Sequence, residues 1–137
     1  MAKRAVGKRP RSSHARKRGA TLKGLMMALR QFARERDWEQ FHSPKNLAMA
    51  LGVEVAEIAE HFQRLTEDGS DKLPEPKRAA VKDEIGDVLI YLIRLADRLG
   101  IDPLQAAVDK LEKNESRYPA AKVKGKSLKY SEYVDRV

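Results

Sequence analysis

The sequence predicts an all-α protein, an antiparallel four-helix bundle, on three observations. Apolar residues recur at helical spacing in four segments. Two of those segments open on a capping residue followed by proline, Ser43-Pro44 and Asp102-Pro103. Most of the six Pro and eight Gly lie between or outside the periodic segments, where they act as breaks. At 137 residues the chain suits one domain with tails, and the reading divides it into 1–20, 21–119 and 120–137.

Residues 1–20 are expected to be a disordered basic tail. Eight of the 28 Lys and Arg lie there without a single acid, so the remaining bases balance the 20 acids and the net charge of +8 belongs to the tail. Gly7, Pro10, Ser12 and Ser13, with almost no large apolar residue, leave it nothing to fold around. Such a segment is a solvated extension or a weak electrostatic arm for nucleic acid.

The first helix is expected over Leu22 to Arg36, capped by Thr21, with Leu22, Leu25, Met26, Leu29, Phe32 and Ala33 as its stripe. A short loop follows with Trp38, Phe41 and His42, aromatics that either plug the bundle end or line a pocket. The second helix runs from Pro44 to about Leu65 on the stripe Leu47, Leu51, Val55, Ile58, Phe62, Leu65. Residues 67–76 read as a linker. The third helix, Lys77 to Leu99, carries Val81, Ile85, Val88, Leu92, Leu95 and Leu99 inward and stops at Gly100. The fourth, Pro103 to Ser116, points Leu104, Ala107, Val108 and Leu111 inward, and an irregular tail is expected from Ala120.

Composition narrows the chemistry. There is no Cys, which removes disulfides, thiolate metal sites and a thiol nucleophile. The richest apolar run, Ile85 to Leu99, is broken by Asp87, Arg94, Asp97 and Arg98, so no membrane span is expected. The basic N-terminus has no apolar stretch behind it to make a secretory signal, and a cytoplasmic location is the default.

Two acidic pairs stand out, Glu54 with Glu57 and Glu84 with Asp87. Each is spaced i, i+3, which puts both carboxylates on one helix face. At about 100° per residue Glu54 falls within roughly 40–50° of the buried stripe, where a carboxylate carries a desolvation cost. Antiparallel second and third helices would bring the four acids together, and such a group repels itself unless a cation intervenes. Hard oxygen ligands without His or Cys suit Mg²⁺ or Mn²⁺, and such a site favours phosphate chemistry. Lys110, Asn114 and Arg117 recur at helical spacing and can meet phosphates; Trp38, Phe41, His42 and Tyr91 can meet a base. On spacing alone, acidic pairs of this kind belong more often to a solvated helix face than to a metal site, and Gly86 between the second pair suggests close approach of another helix.

The stretch Glu35-Arg36-Asp37-Trp38-Glu39-Gln40-Phe41-His42-Ser43-Pro44-Lys45-Asn46-Leu47 resembles the opening of the MazG-like nucleotide pyrophosphohydrolases, the dCTP pyrophosphatase branch in particular. Glu54-x-x-Glu57, 26 intervening residues and Glu84-x-x-Asp87 match that family's paired acidic motif. Asp87 to Leu92, and Lys110 through Asn114 to Arg117-Tyr118-Pro119, match in order and spacing. The resemblance spans roughly Leu22 to Tyr130. It implies an all-α fold, assembly as dimers or tetramers, and Mg²⁺-dependent cleavage of a nucleoside triphosphate to the monophosphate and pyrophosphate, serving nucleotide pool sanitation or balance. By position it makes Glu54, Glu57, Glu84 and Asp87 the metal ligands. Glu57 or Glu54 becomes the base assisting a water at the α-phosphorus. It assigns Lys110, Asn114 and Arg117 to the phosphates, of their own or a neighbouring subunit's substrate, and Trp38, His42 and Tyr91 to the base and sugar. One departure is Arg64, which stands where the dCTP branch usually has Trp, ten residues past the first Glu. That leaves the base preference open. The rival reading is a non-enzymatic helical oligomerisation module whose basic tail contacts nucleic acid; a third is a nucleotide-binding regulator without turnover.

Overall fold

The structure, a computed structural model, describes residues 20–134, so the basic tail expected at the N-terminus lies almost wholly outside the described residues. The described residues are helical, with no strand among them. Helix α1 spans Leu22–Glu35 and starts where Thr21 accepts a hydrogen bond from the Gly24 amide at 3.0 Å. It ends in a left-handed turn: Asp37 has φ +53°, the Trp38 amide donates to the Ala33 carbonyl at 2.9 Å and the Asp37 amide to Arg34 at 3.1 Å. The expected loop contains a single 3₁₀ turn, Glu39–Phe41. Asn46 ties it to the next helix by donating from Nδ2 to the Phe41 carbonyl at 3.0 Å.

Helix α2 spans Pro44–Phe62, capped by Ser43 as expected. The linker is not featureless. Thr66 caps a four-residue helix, α3, Glu67–Ser70. Helix α4 spans Glu75–Arg98 and closes on Gly100, at φ +67°, with the Ile101 amide donating to the Ala96 carbonyl at 2.9 Å. Asp102 then caps α5, Pro103–Arg117, through two bonds to Leu104 and Gln105 amides. Where an irregular tail was expected, α6 (Ala120–Val123) and α7 (Tyr130–Val134) form, and Tyr118 packs its ring edge-on against Tyr130 and Tyr133.

Helices α2 and α4 share the most extensive contact and α1 packs on α4. The partners across the seam run in opposite order: His42, just before α2, meets Arg94 near the end of α4, while Glu54 further along α2 meets Glu84 and Asp87 earlier in α4, so the pair is antiparallel. The core is small: Ala33, Leu47, Val81, Ile93 and Ala96. No helix among the described residues is long and apolar enough to cross a membrane.

Four parts of the expected stripes differ, the first being Phe32 on α1, which is exposed. Val55 and Ile85, assigned inward, are 50% and 55% exposed, while their neighbours Glu54 and Glu84 are half-buried. The seam therefore runs through Leu47, Leu51, Glu54, Ile58 and Phe62 on α2, and through Val81, Glu84, Val88 and Tyr91 on α4. The reason is that both helices carry apolar residues around much of their circumference, and a single partner helix covers only one arc. Leu92 and Leu99 are likewise exposed. On α5, Leu104, Ala107, Val108 and Leu111 are exposed rather than inward, because α5 makes no extensive contact with another described helix.

Candidate active site

The register of the α2–α4 seam places carboxylates where a helix pair ordinarily places aliphatic side chains. Oxygens of Glu54, Glu84 and Asp87 all lie within 4.8 Å of one another, Glu54 and Glu84 half-buried and Asp87 exposed. Loss of water raises the Glu54 carboxyl above its ordinary pKa, and the Glu57, Asp87 and Glu84 charges add to that. Glu84 is raised in the same way, first by loss of water and then by Glu57 and Asp87, with His61 opposing. Glu57 is exposed and stands beside both without joining the tight group. Three hard oxygen donors held this close, two of them at the expense of their own ionisation, fit a divalent cation of the Mg²⁺ or Mn²⁺ kind, whose charge would offset the repulsion. Gly86 lies between the acids, yet a Cβ built there meets no atom within 4 Å. The close approach expected at Gly86 is not made by any described part of this chain.

The aromatic residues form a second group. Trp38, 44% exposed, meets Phe32 edge-on at 5.7 Å and His42 edge-on at 6.4 Å. The left-handed turn at Asp37 sets this row, because it swings the chain off α1 and lays Trp38 back against Phe32. His42 is half-buried and its imidazole is pushed below the ordinary histidine pKa, chiefly by loss of water and then by Arg94 and Arg98. Tyr91 is half-buried on α4, one turn beyond Asp87 on the same flank.

The third group stands apart. Lys110 and Arg117 are exposed and Asn114 half-buried on α5, and Arg117 lies 5.8 Å from the Tyr130 ring. As α5 makes no extensive contact with α2 or α4, the chain by itself does not draw these three to the carboxylates. Arg64 is exposed just past the end of α2.

One cluster was not foreseen. Arg94 on α4 is 4% exposed, donates from Nη1 to Asp97 Oδ2 at 3.3 Å and lies with Nη2 3.4 Å from His42 Nδ1. Asp97 in turn accepts from Arg30 Nε on α1, at 3.1 and 2.9 Å to its two oxygens. The only sign of it in the sequence is that Arg94 and Asp97 interrupt the longest apolar run at i, i+3.

A family model described as MazG-like matches residues 49–133, a span that takes in all four acids, Tyr91, Lys110, Asn114 and Arg117. The chain is similar over 114 residues to dCTP pyrophosphatase 1 of Mus musculus and of Homo sapiens, 46% identical to each, with 82% of this chain and 67% of each relative covered. The protein of that name from Bos taurus is 42% identical, with 68% of its length covered. Among solved structures, a pyrophosphatase from Archaeoglobus fulgidus DSM 4304 superposes with a TM-score of 0.68 at 42% identity, over 72% of this chain and 92% of that one.

Proposed function

The chain belongs to the MazG-like family, and from that we infer that it is a nucleoside triphosphate pyrophosphohydrolase, acting with Mg²⁺ on a dCTP-like deoxynucleotide in nucleotide pool sanitation or balance. The observation that carries the reading is the carboxylate group on the α2–α4 seam, whose donor set and raised pKa values suit a divalent cation better than a bare helix face.

In this reading Glu54, Glu84 and Asp87 hold the cation, with Glu57 completing the acidic set. The ion would supply charge neutralisation at the triphosphate and activation of a water. Glu57 is exposed and stands outside the tight group, so it is assigned as the base, with Glu54 held as ligand. Water adds at the α-phosphorus, the bond from that phosphorus to the α–β bridging oxygen breaks, and pyrophosphate leaves from a nucleoside monophosphate. Trp38, His42 and Tyr91 form the base and sugar wall, and Trp38 offers an exposed ring for stacking. Lys110, Asn114 and Arg117 meet the phosphates. Since α5 does not carry them to the seam of its own chain, a homodimer or homotetramer in which a neighbour supplies them fits the fold. The exposed apolar residues Met49, Val53, Val55, Ile85, Leu89 and Leu92 support the same assembly.

A panel of ribo- and deoxynucleoside triphosphates assayed with Mg²⁺, reading pyrophosphate against orthophosphate, tests reaction and base preference together. Pyrophosphate release that is lost in Glu57→Ala and Asp87→Ala is the expected result. Orthophosphate as the product, or near-normal turnover in both variants, would overturn it.

A further inference from the structure

We propose that Arg94 is a positioning residue that locks His42 in its Nε2–H tautomer, so that the imidazole meets the nucleotide as a neutral hydrogen-bond donor. The substrate half of this proposal rests on the base-wall role given to His42 above; the tautomer half does not.

The chemistry follows from what each group can do. A guanidinium has only donors, and it does not deprotonate in a protein. Arg94 Nη2 lies 3.4 Å from His42 Nδ1, and a hydrogen bond between them takes the ring nitrogen as acceptor and so leaves Nδ1 without a proton. A neutral imidazole with a bare Nδ1 holds its proton on Nε2. The arrangement also resists a second proton, because an imidazolium would have to turn an N–H toward a buried cation. The charged groups facing the ring agree: Arg94 and Arg98 on α4 act against protonation, and only Glu39 on the 3₁₀ turn favours it.

Arg94 itself is hard to explain by stability alone. It is almost wholly buried, and its Nε has no hydrogen-bond partner among the described residues. A buried charge left partly unsatisfied costs more than an apolar side chain of the same volume. It is nonetheless held firmly. Asp97, with only 8% of its side chain exposed, takes Arg94 on one side and a two-oxygen contact from Arg30 on the other. The chain Arg30–Asp97–Arg94–His42 thus links α1, α4 and the residue just before the Ser43 cap of α2, and it ends on the ring that Trp38 flanks. A neutral donor suits an uncharged acceptor, a base carbonyl or a sugar oxygen; a phosphate would be better served by an imidazolium.

Long-range ¹H–¹⁵N spectra of histidine-labelled protein read the tautomer directly, His42 being assigned with His42→Ala. The expected result is a neutral Nε2–H ring near pH 7 in the wild type. In Arg94→Met, which keeps the bulk and removes the donors, the ring becomes a mixture of tautomers and its titration moves up in pH. For the best triphosphate substrate KM then rises about tenfold, the scale of one lost hydrogen bond, with kcat within about twofold. Arg94→Lys, which keeps a donor, recovers part of both. An Nδ1–H ring in the wild type overturns the proposal even if Arg94→Met fails to fold. So does a wild-type tautomer, or a wild-type KM, in folded Arg94→Met. If no triphosphate yields pyrophosphate, the functional reading falls while the wild-type spectrum still decides what Arg94 does.

Discussion

Glu54 and Glu84 occupy positions that work against their own charge. Their carboxyls are raised above the ordinary value of 4.5, first by loss of water and then by like charges. A carboxyl with a raised folded pKa contributes most to stability when protonated. That contribution is complete below the unfolded value and is lost as pH rises through the folded one. Glu54→Gln is therefore expected to raise the thermal midpoint of the metal-free protein at neutral pH, with the gain over wild type shrinking as pH falls through the raised folded value and gone below about 4.5. Adding Mg²⁺ should raise the wild-type midpoint and leave the variant's almost unmoved; thermal scans with Mg²⁺ and with EDTA read both effects. Asp97 is the opposite case. The Arg30 hydrogen bond is the first of the forces that lower its pKa below 3.8, so its contribution is full above that value and is lost as pH falls through the lower folded one. Asp97→Ala leaves buried Arg94 without a counter-charge and should cost about 3 kcal/mol in urea unfolding at pH 7. Of these residues, Glu54 was legible as a helical angle close to the stripe. Arg94 was not, since His42 lies 52 positions away and Asp97's own partner, Arg30, lies 67 positions from it.

At the scale of the helices, starts were more legible than stops and faces. Thr21, Ser43 and Asp102 each cap where side-chain chemistry says a helix can begin. Helices α1 and α4 end in the same six-to-one hydrogen-bonded turn, but only the second advertises it with glycine. Gly100→Ala places a Cβ at φ +67° and is expected to lower stability by about 1 kcal/mol, measured as a shift in urea midpoint without a change in slope. The one-residue offset of the seam, to Glu54 and Glu84 rather than Val55 and Ile85, escaped the periodicity. Counting apolar residues gives them the inward face, and nothing local says that a neighbouring acid will take it. Helix α3 was missed because four residues are too few to show a period, although Thr66 marks its start.

At the scale of the molecule, the exposed faces matter as much as the core. Five buried apolar residues among those described are a small core, while Leu104, Val108 and Leu111 form an apolar stripe on α5 that the described residues leave open. The double variant Leu104→Glu/Leu111→Glu should shift the protein to a smaller species in sedimentation and lower activity along with it. An unchanged mass would remove α5 from the proposed homo-oligomer. The acidic seam also has a kinetic consequence. Helices α2 and α4 are near neighbours in sequence, joined only through Gln63 to Pro74, so their pairing closes a short loop and should fall early in folding. The two halves that dock first are thus the two that carry like charges at the contact. Stopped-flow refolding should accelerate with added Mg²⁺ beyond what matched ionic strength achieves, and this chain would then complete its ion site as it folds rather than afterwards.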